Sequence, residues 1–477
     1  MSRINTNVGA LIAQVHLQRS QNDLSSTLQR LSTGLRINRG ADDPAGLIAS
    51  ETLRSEISGI GQAIANSERA SNVIATTEGA LNEVAAMLVS MQDLVVGAAN
   101  EGALSADEIA ANQLQVDSAI QSITRIANTT TFAGLHLLNG SLGYATSGVD
   151  DSVIKDLHLN AVQFGTHDYV PVSVDVVTSA QKAGLEFKTS QIATSITIQV
   201  RGSTGVADLS FASGTHASAI AFAVNTVSDA TGVEASLINS AHAGSGIVLR
   251  SAGYGSNAFV SVTKLTSSSD FDLVNESGAA SSDTGQDAVA NVNGILTQAD
   301  GLDLSLQTLG LDMELTIASD LGTGSTSFAI TGGGSKFQLG PEVNSNQQVN
   351  IGIQSIAASS LGNALVGYLS QIGTGETYSL VSGNARQTSQ ILKESIRQVA
   401  ILRGRLGAFE RNVLQTNVNS LQVALENVTS SESQIRDADF AVETSNLTRA
   451  QILTQAGTSV LAIANTTPQS VLALLGR

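Results

Sequence analysis

The two ends of this chain match each other in character, and nothing between them resembles either. Residues 1–140 and 385–477 read as long amphipathic helices rich in Arg, Gln and Asn, and the first aromatic residue is Phe132. Residues 155–335 read as short strands broken by Gly, Ser and Thr. Helical ends around a β-rich middle predict a hairpin, whose termini pair as helices and carry the middle at the far end. The predicted class is α+β: paired terminal helices around a β-rich middle. Such a chain offers side surface rather than a pocket, which points to assembly rather than catalysis.

Periodicity places the helices. Over residues 4–37, Ile4, Val8, Leu11 and Val15 step by 4, 3, 4, and Leu24, Leu28, Leu31 and Leu35 repeat the pattern. That is a narrow heptad-like seam on a helix about 50 Å long. Gly40 ends it, and Asp42-Asp43-Pro44 restarts a helix, with Asp as cap and Pro at the first helical position. The second helix runs to about Asn100, with Leu53, Ile57, Ile60, Ile64 and then Ala80, Val84, Met87, Met91, Leu94 in phase. The third starts at Ser105, where Ser-Ala-Asp-Glu is a capping-box pattern, and Asn139-Gly140 is a turn signal. Helix returns near Thr388 with Leu392, Ile396 and Val399, then Leu414, Val418, Leu421, Leu425 and Val428. The frame slips by one residue between those runs, so helix-on-helix packing is expected rather than one strict zipper. A last helix over 437–465 carries Leu453, Ala456, Val460 and Ile463, followed by Pro468 and the apolar tail Val471, Leu472, Leu474, Leu475.

In the middle, Ile196, Ile198, Val200 and Met313, Leu315, Ile317 alternate with polar residues, as half-buried strands do; Val260 and Val262 do so more briefly. A short helix is predicted over 218–227. Residues 322–327 and Gly332-Gly333-Gly334 read as loops.

At 477 residues the chain predicts two to four domains. With 24 Lys+Arg against 41 Asp+Glu it carries a net charge of −17, which argues against nucleic acid and anionic membranes as partners. The first 40 residues run the other way, with five Arg and one Asp. No uninterrupted apolar run of 18 residues occurs, and the start Met-Ser-Arg-Ile-Asn-Thr-Asn lacks the pattern of a secretory signal, so if the protein leaves the cell another route is expected to carry it. With no Cys, disulfides and thiolate metal sites are excluded. The six His show no metal-ligand spacing, and ordinary surface or core roles are expected. No Gly-x-Ser-x-Gly elbow occurs, and Gly332–Lys336 lacks the spacing of a phosphate loop. No catalytic, cofactor or metal residue is assigned, and no enzyme is expected. The terminal seams are open between three readings: intramolecular core, interface between copies, or both.

Several segments resemble bacterial flagellin, the subunit of the flagellar filament. At the front these are Leu28–Asn38, Ala41–Leu47, Thr77–Leu81, Ala98–Asn100, Phe132–Gly134 and Leu137–Gly140. At the back they are Arg405–Ala408, Leu425–Asn427, Ile435–Asp439, Ile452–Gly457 and Pro468–Leu472. Phe337–Gly340 with Ile351–Ile353 looks like a strand pair of the family, and 196–236 resembles a repeat module of its outer domains.

The resemblance implies three layers. Residues 1–42 with 437–477 form a coiled-coil core, 43–154 with 336–436 a helical bundle with a strand pair, and 155–335 a surface insert. It implies a homopolymer whose assembly seam is Ile4, Val8, Leu11, Leu24, Leu28, Leu31, Leu35, Leu453, Val460, Ile463, Leu472 and Leu475. It further implies type III export, extracellular location on the flagellum, and partners in hook-associated junction and cap proteins and an export chaperone at the C-terminal helix. No nucleic acid, membrane or cofactor is implied. The alternatives are a hook–filament junction protein, with similar terminal helices, and an enzyme displayed by the insert. The family's helical layer also carries a site read by a Toll-like receptor, matching Met87–Asn100. Leu94 fits that site, but Ser90 and Gln92 stand where the pattern has Arg, and its further Glu is replaced near Leu114–Gln115.

Overall fold

A computed structural model describes residues 6–100, 102–239, 245–266, 271–275, 278–308 and 310–475, with side chains as far as Thr466. The helices are α1 (Val8–Thr33), α2 (Pro44–Ala98), α3 (Ala106–Thr129), α4 (Ala217–Thr226), the single turn α5 (Ser228–Thr231), α6 (Ala385–Phe409), α7 (Thr416–Arg436) and α8 (Phe440–Leu475). Two compact units result. One comprises residues up to 69, 338–343 and those from 412; the other comprises 70–337 and 344–411.

Local chemistry fixes the helix ends. The Asn7 side chain accepts the Ala10 amide at 3.0 Å, and Gly34, in the left-handed region at φ 74°, ends α1 by donating to the Arg30 carbonyl. α1 therefore stops at Gly34, not Gly40. Asp42 accepts the amides of Asn38 and Arg39, which hold its carboxyl below the usual range, while Asp43 caps α2 through Gly46 at 2.9 Å. Ser105 and Glu108 form the expected capping box of α3.

By length and composition α2 could cross a membrane, with an 18-residue window of mean hydropathy 1.2. Yet Leu81, Val84, Leu88, Met91 and Val95 all lie fully buried at helical spacing, as in a core helix. Gln92 ties α2 to α6 by donating to Ser389 at 2.8 Å, and buried Gln113 on α3 bonds the Ile372 carbonyl and the Leu380 amide. Between α6 and α7, residues Glu410–Gln415 form a π-helical turn. A π turn inserts one residue into an α-helix, which is the frame slip seen between Val399 and Leu414.

The β-rich part of the second unit holds two nested domains. The inner one carries two sheets. The first orders strands 295–296, 289–292, 170–178, 325–333 and 144–147; the second orders 298–300, 303–307, 311–317 and 154–162. Val172, Val174, Ala290, Met313, Leu315 and Ile330 are in its core. The outer domain is inserted between 178 and 289. Its sheets order 278–279, 273–275, 184–187, 247–251, 233–237 and 282–284, 259–264, 196–202, 206–211. Its core includes Ile196, Ile198, Val200, Ile220 and Val224, with Phe187 stacked on Phe271 at 4.4 Å.

Gly332–Gly334 is not the loop expected: Gly332 and Gly333 belong to strand 325–333, whose register against 144–147 shifts at Ile330/Gly332. A Cβ on Gly333 would sit 2.2 Å from the Gly143 carbonyl, so only glycine fits this bulge.

One His has a built environment. His158 Nε2 lies 3.0 Å from Asp156 and Nδ1 2.8 Å from Gln354. Burial lowers its pKa, but the Asp156 hydrogen bond and charge, Gln354 and the facing Glu314 outweigh this and raise it above 6.5. The raised folded pKa gives stability that is complete below pH 6.5 and lost as pH rises through the folded value. The melting temperature should therefore fall between pH 6 and pH 8, and His158→Gln should flatten that dependence. An identical slope in the variant would contradict the assignment.

Candidate assembly surface

α1 and α8 form an antiparallel pair. The Asn7 side chain donates to the Ala464 carbonyl at 2.7 Å, Leu17 packs beside Gly457, Arg30 reaches Glu443 at 3.2 Å, and Leu35 bridges Asp437. The facing positions of α1 are Ala10, Ala13, Leu17, Ser20, Leu24, Thr27 and Leu31, all buried or half-buried. Those of α8 are Glu443, Leu447, Ala450, Thr454, Gly457, Leu461 and Ala464, again buried or half-buried. Both sets step alternately by 3 and 4, the heptad rule for a two-helix seam. The contact is close because the seam is small: a Cβ on Gly457 would lie 3.6 Å from Leu17 Cβ. Small residues remove little apolar area from water, so the pair is weakly held by itself.

The structure divides the predicted seam between two faces. Leu24, Leu31 and Leu35 are half-buried toward α8 and its preceding turn. Val8 and Leu11 point away from the pair and are 53% and 54% exposed, as are their neighbours Ile12 and Val15; Leu28 is also exposed. On α8, Leu453, Val460 and Ile463 are exposed, the last at 67%. Ile4 lies outside the described residues, as do the side chains of Leu472 and Leu475.

Leu31 and Leu35 are not brought together with Val460 and Ile463. The antiparallel register places the first two near 437–443 and the others near Asn7, about 30 Å apart along the helix. Sequence periodicity also chose the α8 stripe one residue off the inward seam, a rotation of about 100°. What it found is the outward face. Ala450, Thr454, Gly457 and Ala464, with only Leu447 and Leu461 as large apolar residues, made the inward one a weak signal.

Val8, Leu11, Ile12 and Val15 on one helix and Ile452, Leu453, Val460 and Ile463 on the other thus form exposed apolar stripes. Charged groups interrupt them sparsely: α8 carries Glu443 and Arg449 as its only ionisable side chains among the described residues. Chemically, such stripes associate with apolar helical surface and do no catalysis. In the other unit, Ser90 is exposed and Gln92 is occupied by Ser389.

Comparisons with known proteins bear on what meets these stripes. The family description "Bacterial flagellin N-terminal helical region" matches residues 4–142, "Bacterial flagellin C-terminal helical region" matches 389–475, and "Flagellin hook IN motif" matches 195–253. B-type flagellin of Pseudomonas aeruginosa is 31% identical, covering 99% of both chains. Flagellin of Salmonella choleraesuis is 30% identical and flagellin A of Helicobacter pylori 27%, each with the same 99% coverage of both chains.

Proposed function

The chain belongs to the bacterial flagellins, the subunits of the extracellular flagellar filament, and from that premise we propose that it polymerises through the outward faces of α1 and α8. The supporting observation is the exposure of Val8, Leu11, Ile12 and Val15 together with Leu453, Val460 and Ile463 on helices already paired with each other. An intramolecular pair with apolar outer stripes has its own seam filled and still needs a partner. Copies of the chain supply it head to tail, in a contact that does not close on itself and so grows a helical polymer. The family is structural, and we assign the chain no reaction.

In the polymer, residues 1–42 with 437–477 form the core layer, 43–154 with 336–436 the helical layer, and 155–335 the surface insert; the first strand of the inner β-domain begins at Tyr144. Junction and cap proteins meet the same terminal helices at the filament ends. Before export, a chaperone covers the outward face of α8. Full-length similarity to filament subunits favours this reading over a hook–filament junction protein. Purified chain added to short filament seeds should lengthen them in electron micrographs. Seeds that stay short at every concentration tried would overturn the reading.

The outer domain should be dispensable for assembly. Its entering and leaving strands lie side by side, since Gln181 and Gln286 exchange backbone hydrogen bonds at 2.8 and 3.0 Å. Replacing residues 182–285 by a short Gly linker should therefore leave the inner domain folded and the filament able to form. A narrower filament in micrographs is the expected result. A soluble, folded chain that no longer polymerises would assign this domain an essential contact.

A further inference from the structure

The α1–α8 seam is degenerate under a slip of one heptad. On α1, Leu17, Leu24 and Leu31 recur every seven residues, as do the small or polar Ala13, Ser20 and Thr27. On α8, Ala450, Gly457 and Ala464 share that spacing, and Leu447, Thr454 and Leu461 follow the same period. In the observed register Leu17 faces Gly457, and Leu24, Thr27 and Ala13 fall opposite Ala450, Leu447 and Leu461. Slid by seven residues, large side chains again meet small ones at most positions. Packing alone therefore distinguishes the registers poorly. The nearby backbone bonds between residues 34–36 and 436–438 carry no sequence information, because any extended pair of residues can form them.

One contact between two side chains in the seam does not repeat, whereas Asn7 bonds a backbone carbonyl. Glu443 is 6% exposed, the only buried acidic or basic side chain on either helix among the described residues, and its partner is Arg30 at 3.2 Å. A slip of seven in one direction sets Glu443 against Asp23 and Arg30 against Arg436, two like-charge encounters. A slip in the other direction carries Glu443 past the end of α1, opposite Ile37, and Arg30 to Ala450. Either shift buries a charge without its partner or beside its like, which is strongly unfavourable.

We propose that the Arg30–Glu443 pair sets the register of α1 on α8 and thereby determines the composite outward face that a second copy of this chain recognises. A one-heptad slip displaces Val8–Val15 by about 10 Å relative to Leu453–Ile463. The consequence for recognition rests on the assembly proposed above; the register itself is measured independently of it.

The absence of cysteine makes the measurement direct. Gly457→Cys is combined in turn with Leu17→Cys, Leu24→Cys or Ala10→Cys in the full chain, and mild oxidation is followed by mass spectrometry. The 17–457 pair starts from a Cβ separation of 3.6 Å, within the disulfide range, and reports the observed register. The other two report slips in opposite directions.

In the parent chain the 17–457 bond should form at least about tenfold faster than either alternative. With Glu443→Leu, the 24–457 bond should rise to at least about half the native rate, because Leu restores apolar packing while removing the register signal. The exchange Arg30→Glu with Glu443→Arg should return the preference to 17–457. Retention of 17–457 alone in the Glu443→Leu chain would overturn the proposal, as would equal cross-linking of all three pairs in the parent. A chain that keeps the native cross-link but does not lengthen seeds would instead count against the assembly reading.

Discussion

Val460→Asp raises the critical concentration for polymerisation at least about tenfold and leaves the monomer's melting transition where it was. Val460 is 54% exposed in the single chain, so an aspartate there stays hydrated and the fold loses little. On the proposed interface a neighbouring copy covers the same position in the polymer, and an unpaired carboxylate would be buried there. Only about 1.4 kcal/mol per subunit is needed for a tenfold change. Ile463→Asp should behave alike. Gln455→Asp, exposed and on neither face, should shift the critical concentration far less. Leu31→Asp is a different experiment: Leu31 is half-buried against α8, so its charge disturbs the chain's own helix pair as well as assembly. Gln29 is a poor control there, since it is half-buried and accepts from Arg39 at 3.0 Å. Loss of monomer stability in Val460→Asp, or polymerisation at the parent's concentration, would remove this face from the interface.

Deleting Asn412 from the π-helical turn should destabilise the protein by about 3 kcal/mol or more, read as a lowered melting temperature. The turn spans Glu410–Gln415, and one residue fewer restores a continuous α-helix. Everything beyond then rotates by about 100° about the helix axis. Leu414, 1% exposed, would leave its site, and Asn417 would lose its bonds to the Leu339 carbonyl and Ser67. Deletion of Thr429, on the exposed side of α7 and far from the turn, shifts only the last two helical turns and should cost less. Equal melting temperatures for the two deletions would mean that the π turn is not what sets the phase of Leu414 and Asn417.

That turn shows how much of the fold could be read directly from residues. The slip between Val399 and Leu414 is visible as a broken 3–4 spacing, and the structure absorbs it in one wide turn. Helix ends marked by Asp43-Pro44 and Ser105–Glu108 are equally legible, because a cap is local chemistry. Strands 196–202 and 311–317 alternate buried and less buried residues as their sequences do. The nesting of one β-domain inside another was not legible, since it rests on pairings such as 325–333 with 144–147, nearly two hundred residues apart. Gly332–Gly334 misled for a related reason: glycines that permit a close strand crossing look like glycines that permit a loop.

The interface was half legible. Large apolar residues announce the outward face of α8, where Leu453, Val460 and Ile463 keep phase. The inward seam of α8, built on Ala450, Thr454 and Gly457 between Leu447 and Leu461, carries a weak hydrophobic signal, because close approach of two helices selects small side chains. Periodicity therefore picks out an exposed stripe and leaves open whether it meets the other terminal helix or another copy. Only the position of Glu443 beside Arg30, and of Gly457 beside Leu17, separates the two faces.

A cryomicroscopy reconstruction of filaments grown from seeds, at a resolution that shows side chains, tests the central claim most directly. The predicted result is that Val8, Leu11, Ile12 and Val15, with Leu453, Val460 and Ile463, are buried between subunits, while Leu17 remains against Gly457 of the same chain. Filaments in which those outward residues face solvent, or in which Leu17 packs on another copy's α8, would contradict it.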